Sequence, residues 1–490
     1  MLTADMVEDR SRSVNPQRWR ARVCAAGAVL LLAGCSTFSR YPDGMEQTTL
    51  APLRTGKKTG YVRTFEKRTQ GRDQVLFALE MGRVAQLEGD FAGSRAAFEK
   101  AGAAMQAQDD KAVVSASGAA AQGAAVLVND KAIPYRAQPY ERTLLHHYQA
   151  LNFLATNDLI GAGVEVRRAN REQETARQRH DQELAKAKAE DPAAPDEARD
   201  PQLGAVYAGL DELAGDVKFS FQNAATFYLS AVVWEMRGER NDAYIDYKQA
   251  LEIHPENPFL QQDVVRLGKR LGMRGDVEDF AKRFPAAAAT PADGDGTLQG
   301  KARLVVFYEE GLAPQKTEIS VAYPLPSANS LGVIALPGYT AVPPPPVPVE
   351  VSASGRTLGR TAPICNVSAL AARALGEQMP GILTRQVARA VTKAVATKAA
   401  HDQGGEFAEL AATLYNLFSE QADLRSWLTL PAHIQVLSAW VEPGVRAVTL
   451  AATGSGTLWT EKVTLTANKT TLIHVTRIDL AVYSQVSVQP

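Results

Sequence analysis

Glu309 and Glu310 end a strand-like stretch before Gly311, and Glu318 follows on the next one. Paired carboxylates are the chemistry of glycoside hydrolysis, one acting as the acid and the other as base or nucleophile. Adjacent strand residues face opposite ways, however, so this pair converges only across a bulge. It reads as solvated charge beside a turn. The seven histidines give little more. His146 and His147 are neighbours on a helical stretch and point apart, which prevents them from sharing a metal well. No HExxH or CxxC spacing is present, nor a G-x-S-x-G elbow, a phosphate-binding G-x-x-x-x-G-K-[ST] loop or a dinucleotide glycine fingerprint. The expectation is a chain without catalytic residues, metal or cofactor. Arg385, Arg389 and Lys393 recur every four residues and form a basic stripe, with Leu383, Val387 and Val391 on the apolar side. This is an amphipathic helix with its basic side in water, or else a contact for anionic headgroups, lipopolysaccharide phosphate or an acidic partner.

Cys35 closes the run Leu32-Ala33-Gly34-Cys35, behind an apolar stretch from Val23 and a basic one carrying Arg10, Arg12, Arg18, Arg20 and Arg22. The apolar core is far shorter than the about 20 residues of a spanning helix. These residues resemble the lipobox of bacterial lipoprotein signals. The resemblance implies cleavage after Gly34 and acylation of Cys35, and Ser36, where Asp would imply inner-membrane retention, directs the chain to the outer membrane. Several acyl chains make a stable anchor, at about 0.8 kcal/mol per buried CH₂.

The 490 residues carry a net charge of -1. Residues 1–34 hold five Arg against Asp5, Glu8 and Asp9, a net of +2, which leaves the mature chain near -3. A nucleic-acid partner, which calls for a basic excess, is not expected. Of three cysteines only Cys365 lies beyond Cys35. No intramolecular disulfide is therefore expected, and Cys365 reads as a small buried hydrophobe.

The elements that position these residues fall into two kinds. From Arg72 the pattern is helical, and one spacing recurs three times: Gly82, Ser94 and Ala101; Ala150, Ala162 and Ala169; Ala231, Ala243 and Ala250. Phe98, Val166 and Tyr247 each follow the middle small residue by four, and turn signals precede each second helix at Gly89-Asp90, Asn157-Asp158 and Gly238-Glu239. Antiparallel helices approach closely only where side chains are small. The pattern resembles the tetratricopeptide repeat, a helix-turn-helix unit of about 34 residues. Its first helices present Leu76, Leu79 and Leu87, then Leu144, Leu151 and Leu154, then Tyr228, Val232 and Met236. That surface is too apolar for an open groove. The expected cover is the helices after Gln261, the helical insertion at 368–419, or the N-terminal tether.

After a linker rich in Pro, Ala and Gly, the period changes to that of strands: 304–308, 317–321, 347–351, 434–441, 447–451, 462–466 and 470–476. Between them, 368–377 and 381–400 read as helices broken at Pro380-Gly381. The fold class expected is α+β: a tetratricopeptide-like helical domain, then an antiparallel β-sandwich with a helical insertion. The divisions are a signal at 1–34, a lipidated tether at 35–70, helices at 71–284, a linker at 285–298 and a β-rich domain at 299–490 with its insertion at 367–424.

Glu309-Glu310-Gly311 with Pro314-Gln315-Lys316, the Ala371 to Ala396 helix and the Asp423 to Pro431 segment together resemble a family of uncharacterised proteobacterial lipoproteins. Within that last segment Asp423 is expected to pair with Arg425, and Trp427 to plug a junction. The resemblance implies repeats followed by a β-rich domain, no known activity, and neighbourhood to lipoprotein activators of penicillin-binding proteins. The function expected is a non-catalytic, periplasm-facing outer-membrane lipoprotein, held by lipid through Cys35. It would serve as a scaffold for a periplasmic or outer-membrane protein partner in envelope assembly or peptidoglycan maintenance. The alternative is an envelope enzyme or glycan-binding module using Glu309, Glu310 or Glu318.

Overall fold

The computed structural model describes residues 41–115, 133–189, 201–292, 296–325, 330–340, 343–387, 389, 421–452, 454 and 456–489. The signal, Cys35 and Lys393 lie outside them. The fold is α+β. Its long helices are α1 (Gln74–Leu87), α2 (Phe91–Ser115), α3 (Pro139–Ala155), α4 (Leu159–Ala189), α5 (Pro201–Ala214), α6 (Ala224–Arg237), α7 (Arg240–Ile253), α8 (Pro258–Leu271), α9 (Arg274–Arg283) and α10 (367–387). Side-chain caps start several of them. Asn223 accepts from the Thr226 N–H, Asn257 from those of Phe259 and Leu260, and Gln138 with Glu141 forms a capping box at α3. Gly238 and Gly272, both at positive φ, end α6 and α8.

α1 and α2, α3 and α4, α6 and α7, and α8 and α9 pack as consecutive hairpins. The nine small residues of the recurring spacing are all buried. Gly82 shows why size matters there: a Cβ on it would stand 2.6 Å from the Phe98 ring. The Ser94 hydroxyl donates to the Gly82 carbonyl at 2.7 Å, tying α2 to α1. α5 follows a charged, Ala-rich stretch (171–199) that reads from the sequence as a helix extension and then an exposed loop, and the recurring small-residue spacing does not include it. The described part of the expected tether, from Tyr41, folds into short helices. Met45, Leu50, Leu53 and Phe65 of this segment are buried against Val84 and Leu87 of α1.

The strands are β1 (Ala302–Glu310), β2 (Thr317–Leu325), β3 (Ser330–Gly338), β4 (Val349–Ala353), β5 (Arg356–Arg360), β6 (Ala362–Asn366), β7 (His433–Val441), β8 (Gly444–Ala452), β9 (Gly456–Leu465), β10 (Thr470–Ile478) and β11 (Ala481–Val488). They make a five-stranded sheet in the order β11-β10-β1-β7-β6, a four-stranded sheet β5-β4-β8-β9 and the hairpin β2-β3. The expectation of purely antiparallel pairing fails at one place. β1 runs parallel to β10, with Val305 opposite Leu472 and Glu309 opposite Thr476.

β1 is the centre of the molecule. Its even positions, Ala302, Leu304, Val306 and Tyr308, share a core with Val351, Val448, Leu450 and Trp459 of the four-stranded sheet. Its odd apolar positions, Val305 and Phe307, share another with the helical hairpins. A strand buried on both faces reads as a continuous apolar run, here Leu-Val-Val-Phe-Tyr. The order of layers is thus helices, five-stranded sheet, four-stranded sheet. α10 runs through Pro380-Gly381 without the expected break; the proline forgoes one N–H bond. None of the helices among the described residues is long and apolar enough to cross a membrane.

Candidate functional site

The inner face of the hairpins is filled. All nine groove residues, from Leu76 to Met236, are buried, as their apolarity requires. All three expected segments contribute to their cover, and a fourth that was not expected, the five-stranded sheet, joins them. The five-stranded sheet contributes Val305, Phe307, Ile434, Val436 and Leu472, and Trp427 and Leu430 add to it. The insertion helix α10 joins through Val367 and Leu370, the folded tether segment packs at Leu87, and Leu260, Val264 and Leu267 of α8 belong to the same core. The inner face of the hairpins is thus packed against the chain's own β-sheet.

Two charged residues on the helix-facing side of β1 fix how that sheet is seated. Near its start the Arg303 guanidinium bonds Glu235 of α6, the Tyr247 hydroxyl at 3.0 Å and Asp263 of α8 at 2.8 Å. Arg266 bridges the same two acids, at 2.7 and 3.0 Å. Near its end Glu309 takes the guanidinium of Arg83 from α1, the Tyr148 hydroxyl at 3.0 Å and the Thr476 hydroxyl at 2.8 Å. Burial pushes the Glu309 pKa up, and Arg83 and His474 more than offset it, holding the carboxyl well below its ordinary value. Glu309 is therefore not the solvated turn charge expected. It is fully buried because position 309 continues the inward-facing odd series of β1.

Glu310 faces the other way, 3.3 Å from the Val347 N–H and 3.8 Å from Arg477. Glu318 accepts from the Ala422 N–H at 2.8 Å. The three candidate carboxylates thus have separate surroundings and do not form one cleft. His146 meets Glu165 at 2.7 Å, while His147 is buried with Nδ1 3.2 Å from the Thr226 hydroxyl. Burial lowers the pKa of His147 to about 3, so it is neutral. Cys365 is a buried free thiol, pushed up to about 12 by burial and by Glu309. Among the described residues no cluster of three His, Cys, Asp or Glu is placed to hold a metal ion.

The Asp423 to Pro431 segment is where the helices and the β-rich part lock together. The Trp427 ring is fully buried against Phe98 and Tyr148, with centroids 5.8 and 6.0 Å away. Two acids reach in from the hairpins to bond its backbone. Glu141 accepts from the Trp427 N–H at 3.0 Å, and Glu80 from the Leu428 N–H at 2.7 Å and the Thr429 hydroxyl at 2.6 Å. Arg425 pairs with Asp423 at 2.7 Å, as expected, and also with Asp73 at 2.5 Å. Glu80, Arg83 and Gln86 recur at three-residue spacing on the same helix as Leu76 and Leu79. Charge on a buried face is the sequence signal that marks such residues.

Burial raises the Glu80 pKa from 4.5 to about 7, against the lowering effect of its hydrogen bonds from Thr429 and Tyr41. Between those values the folded chain keeps a proton that the unfolded chain releases. Glu80's contribution to stability is therefore full below pH 4.5 and lost as pH rises through about 7. In urea unfolding at several pH values across that window, Glu80→Gln is expected to show a shallower fall in stability with pH than the parent chain. Parallel curves for the two proteins would refute the assignment.

Beside this segment lies a cavity of about 140 Å³, walled by Leu375, Ile382 and Arg385 of α10, by Lys316 and Pro337, and by Tyr135 and Arg425. Arg385 of the expected basic stripe thus faces a cavity. Arg389 is buried, which corrects the picture of a stripe in water. Met379, Ile382, Leu383 and Gln386 are buried at the same helical period, and the Gln386 amide donates to the Ala335 carbonyl at 3.0 Å, so the second half of α10 packs against β3. Lys316 stands out in the sequence only within Pro314-Gln315-Lys316, with no role attached, and Tyr135 and Gln138 carry no local motif.

Comparison of the chain with protein-family models, curated proteins and solved structures finds no match.

Proposed function

We propose that this chain is a non-catalytic lipoprotein of the outer membrane, anchored through acylated Cys35 on the periplasmic side, that holds a protein partner in envelope assembly or peptidoglycan maintenance. In this reading the hairpins are tetratricopeptide-like and the two packed sheets form a β-sandwich. The observation that carries it is the filled inner face: the buried acids and bases described above serve the packing of sheet on helices, which leaves the outer helix faces and loops to meet a partner. Ile160 and Val164 on α4 and Ile245 on α7 are 74%, 40% and 56% exposed, apolar positions on the second helices of their hairpins. Exposed apolar residues of this kind suit an interaction surface when they lie together.

The anchor is tested by Cys35→Ser, which is expected to move the protein from the outer-membrane fraction to the soluble periplasmic one. A Cys35→Ser protein that still floats with outer membranes and resists alkaline extraction overturns the anchored reading. For the scaffold, photo-crosslinking groups placed at Ile160 or Ile245 in intact envelopes are expected to capture one discrete protein partner, which Ile160→Glu weakens. Crosslinks absent from both positions would remove the outer faces as the partner surface.

A further inference from the structure

The cavity beside the Asp423 to Pro431 segment has a chemistry of its own. Of the residues lining it, Arg136, Lys316, Arg385 and Arg425 are cationic and only Asp423 is acidic. Asp423 is already engaged by Arg425. Lys316 differs from the others. Its ammonium donates to the Arg425 carbonyl at 3.1 Å, and among the described residues no carboxylate is in ion-pair contact with it. Burial lowers its pKa, which Asp423 and Glu141 only partly restore. An ammonium has three donors, so two remain to be matched in the wall of a cavity. The rest of that wall mixes the apolar Ile133, Pro134, Pro337, Leu375 and Ile382 with Tyr135 and the amides of Gln138 and Gln378, which bond each other. The volume, about 140 Å³, admits a group of a few heavy atoms and no whole nucleotide or sugar chain.

We propose that this cavity binds a carboxylate carried on a short apolar stem, the anion on Lys316 and Arg385 and the stem against Leu375 and Ile382. A cation half taken out of water with no carboxylate in ion-pair contact is costly, and a bound anion relieves that cost. The mixed wall selects against a fully hydrated anion such as free phosphate, which has nothing to place against the leucine and isoleucine. Such a carboxylate could come from a small branched acid or from the free C-terminus of a peptide ending in Leu. The binding does not depend on how the chain is anchored.

Isothermal titration calorimetry of the full chain separates the outcomes. 4-Methylpentanoate and an N-acetylated tetrapeptide ending in Leu with a free carboxylate are the two probes. Their amides and inorganic phosphate are the controls. Binding of either acid with at least about tenfold loss in its amide is expected, and whichever acid binds more tightly names the source. Lys316→Met is expected to lower that affinity at least about tenfold, and Arg385→Gln to lower it also. Because Lys316→Met could disturb the fold, its melting temperature is measured alongside, and Leu375→Phe, which narrows the cavity while keeping every charge, is expected to lose the acid as well. No binding by either acid overturns the proposal, as do amides binding equally well, phosphate binding as tightly as the acids, or unchanged affinity in a folded Lys316→Met protein.

Discussion

Arg83→Met is expected to destabilise the fold by about 3–5 kcal/mol, the range for removing one partner of a buried ion pair. Arg83 and Glu309 are both completely buried, and the guanidinium also stacks over the Tyr148 ring at 4.1 Å and donates to Gln86 at 2.6 Å. With the arginine gone, Glu309 keeps the hydroxyls of Tyr148 and Thr476 but loses the charge that holds its carboxyl low. It then takes up a proton more readily, so the loss of stability is larger at about pH 8 than at about pH 5. The double variant Arg83→Met/Glu309→Gln removes the stranded charge and is expected to recover much of the difference. Urea unfolding of the single and double variants at the two pH values decides it. A double variant no more stable than Arg83→Met would show that the guanidinium acts by packing alone.

The same pair explains how the sheet finds its place in the hairpins. β1 presents a cation, Arg303, to Glu235 and Asp263, and six residues later an anion, Glu309, to Arg83. Reversing the strand in its slot would bring Arg303 toward Arg83 and Glu309 toward the two acids. Each end is then a buried like-charge contact, which costs more than an apolar mismatch. A sequence with only apolar residues on this face would fill the groove without choosing a direction.

How much of this was legible depends on the range of the signal. The hairpins are local: Gly82, Ser94 and Ala101 and their counterparts declare close helix contacts by size alone, and each proves buried. Seven of the eleven described strands declare themselves by period. β3, β5, β6 and β11 do not; Pro337 and Pro363 interrupt β3 and β6, and Gly359 interrupts the short β5. Nine apolar groove residues showed that something must cover them, yet local periodicity says nothing about which distant segment does so. Glu309 was misread for the same reason. Beside Gly311 it looks like a turn residue, and only its parallel pairing with Thr476 of β10, 167 residues away, places it in the interior. The cavity is less legible still. Lys316, Tyr135 and Arg385 come from three separated segments, and no spacing relates them.

Trp427→Ala is expected to cost about 3–5 kcal/mol, the range for truncating a fully buried tryptophan. The indole fills the space between Phe98 and Tyr148 on the helical side, and its Nε1–H donates to the Thr429 hydroxyl at 3.0 Å. Trp427→Phe retains the ring contacts and loses that hydrogen bond, so it is expected to fall between the parent and the alanine variant. The manner of unfolding carries more information than the size of the loss. If the sheet left the hairpins, Leu76, Leu144, Leu151 and Tyr228 would be exposed together, because their cover is the sheet and the Trp427 segment. The hairpins are therefore expected not to persist without the sheet. Helix loss at 222 nm and exposure of the tyrosine and tryptophan rings should coincide in the parent and in Trp427→Ala, with the midpoint lowered in the variant. Two separated transitions in Trp427→Ala, with helical signal surviving the loss of aromatic burial, would show that the hairpins stand on their own and that the sheet is an ornament to them. One shared transition means that the helices and the sheet fold as one unit around β1.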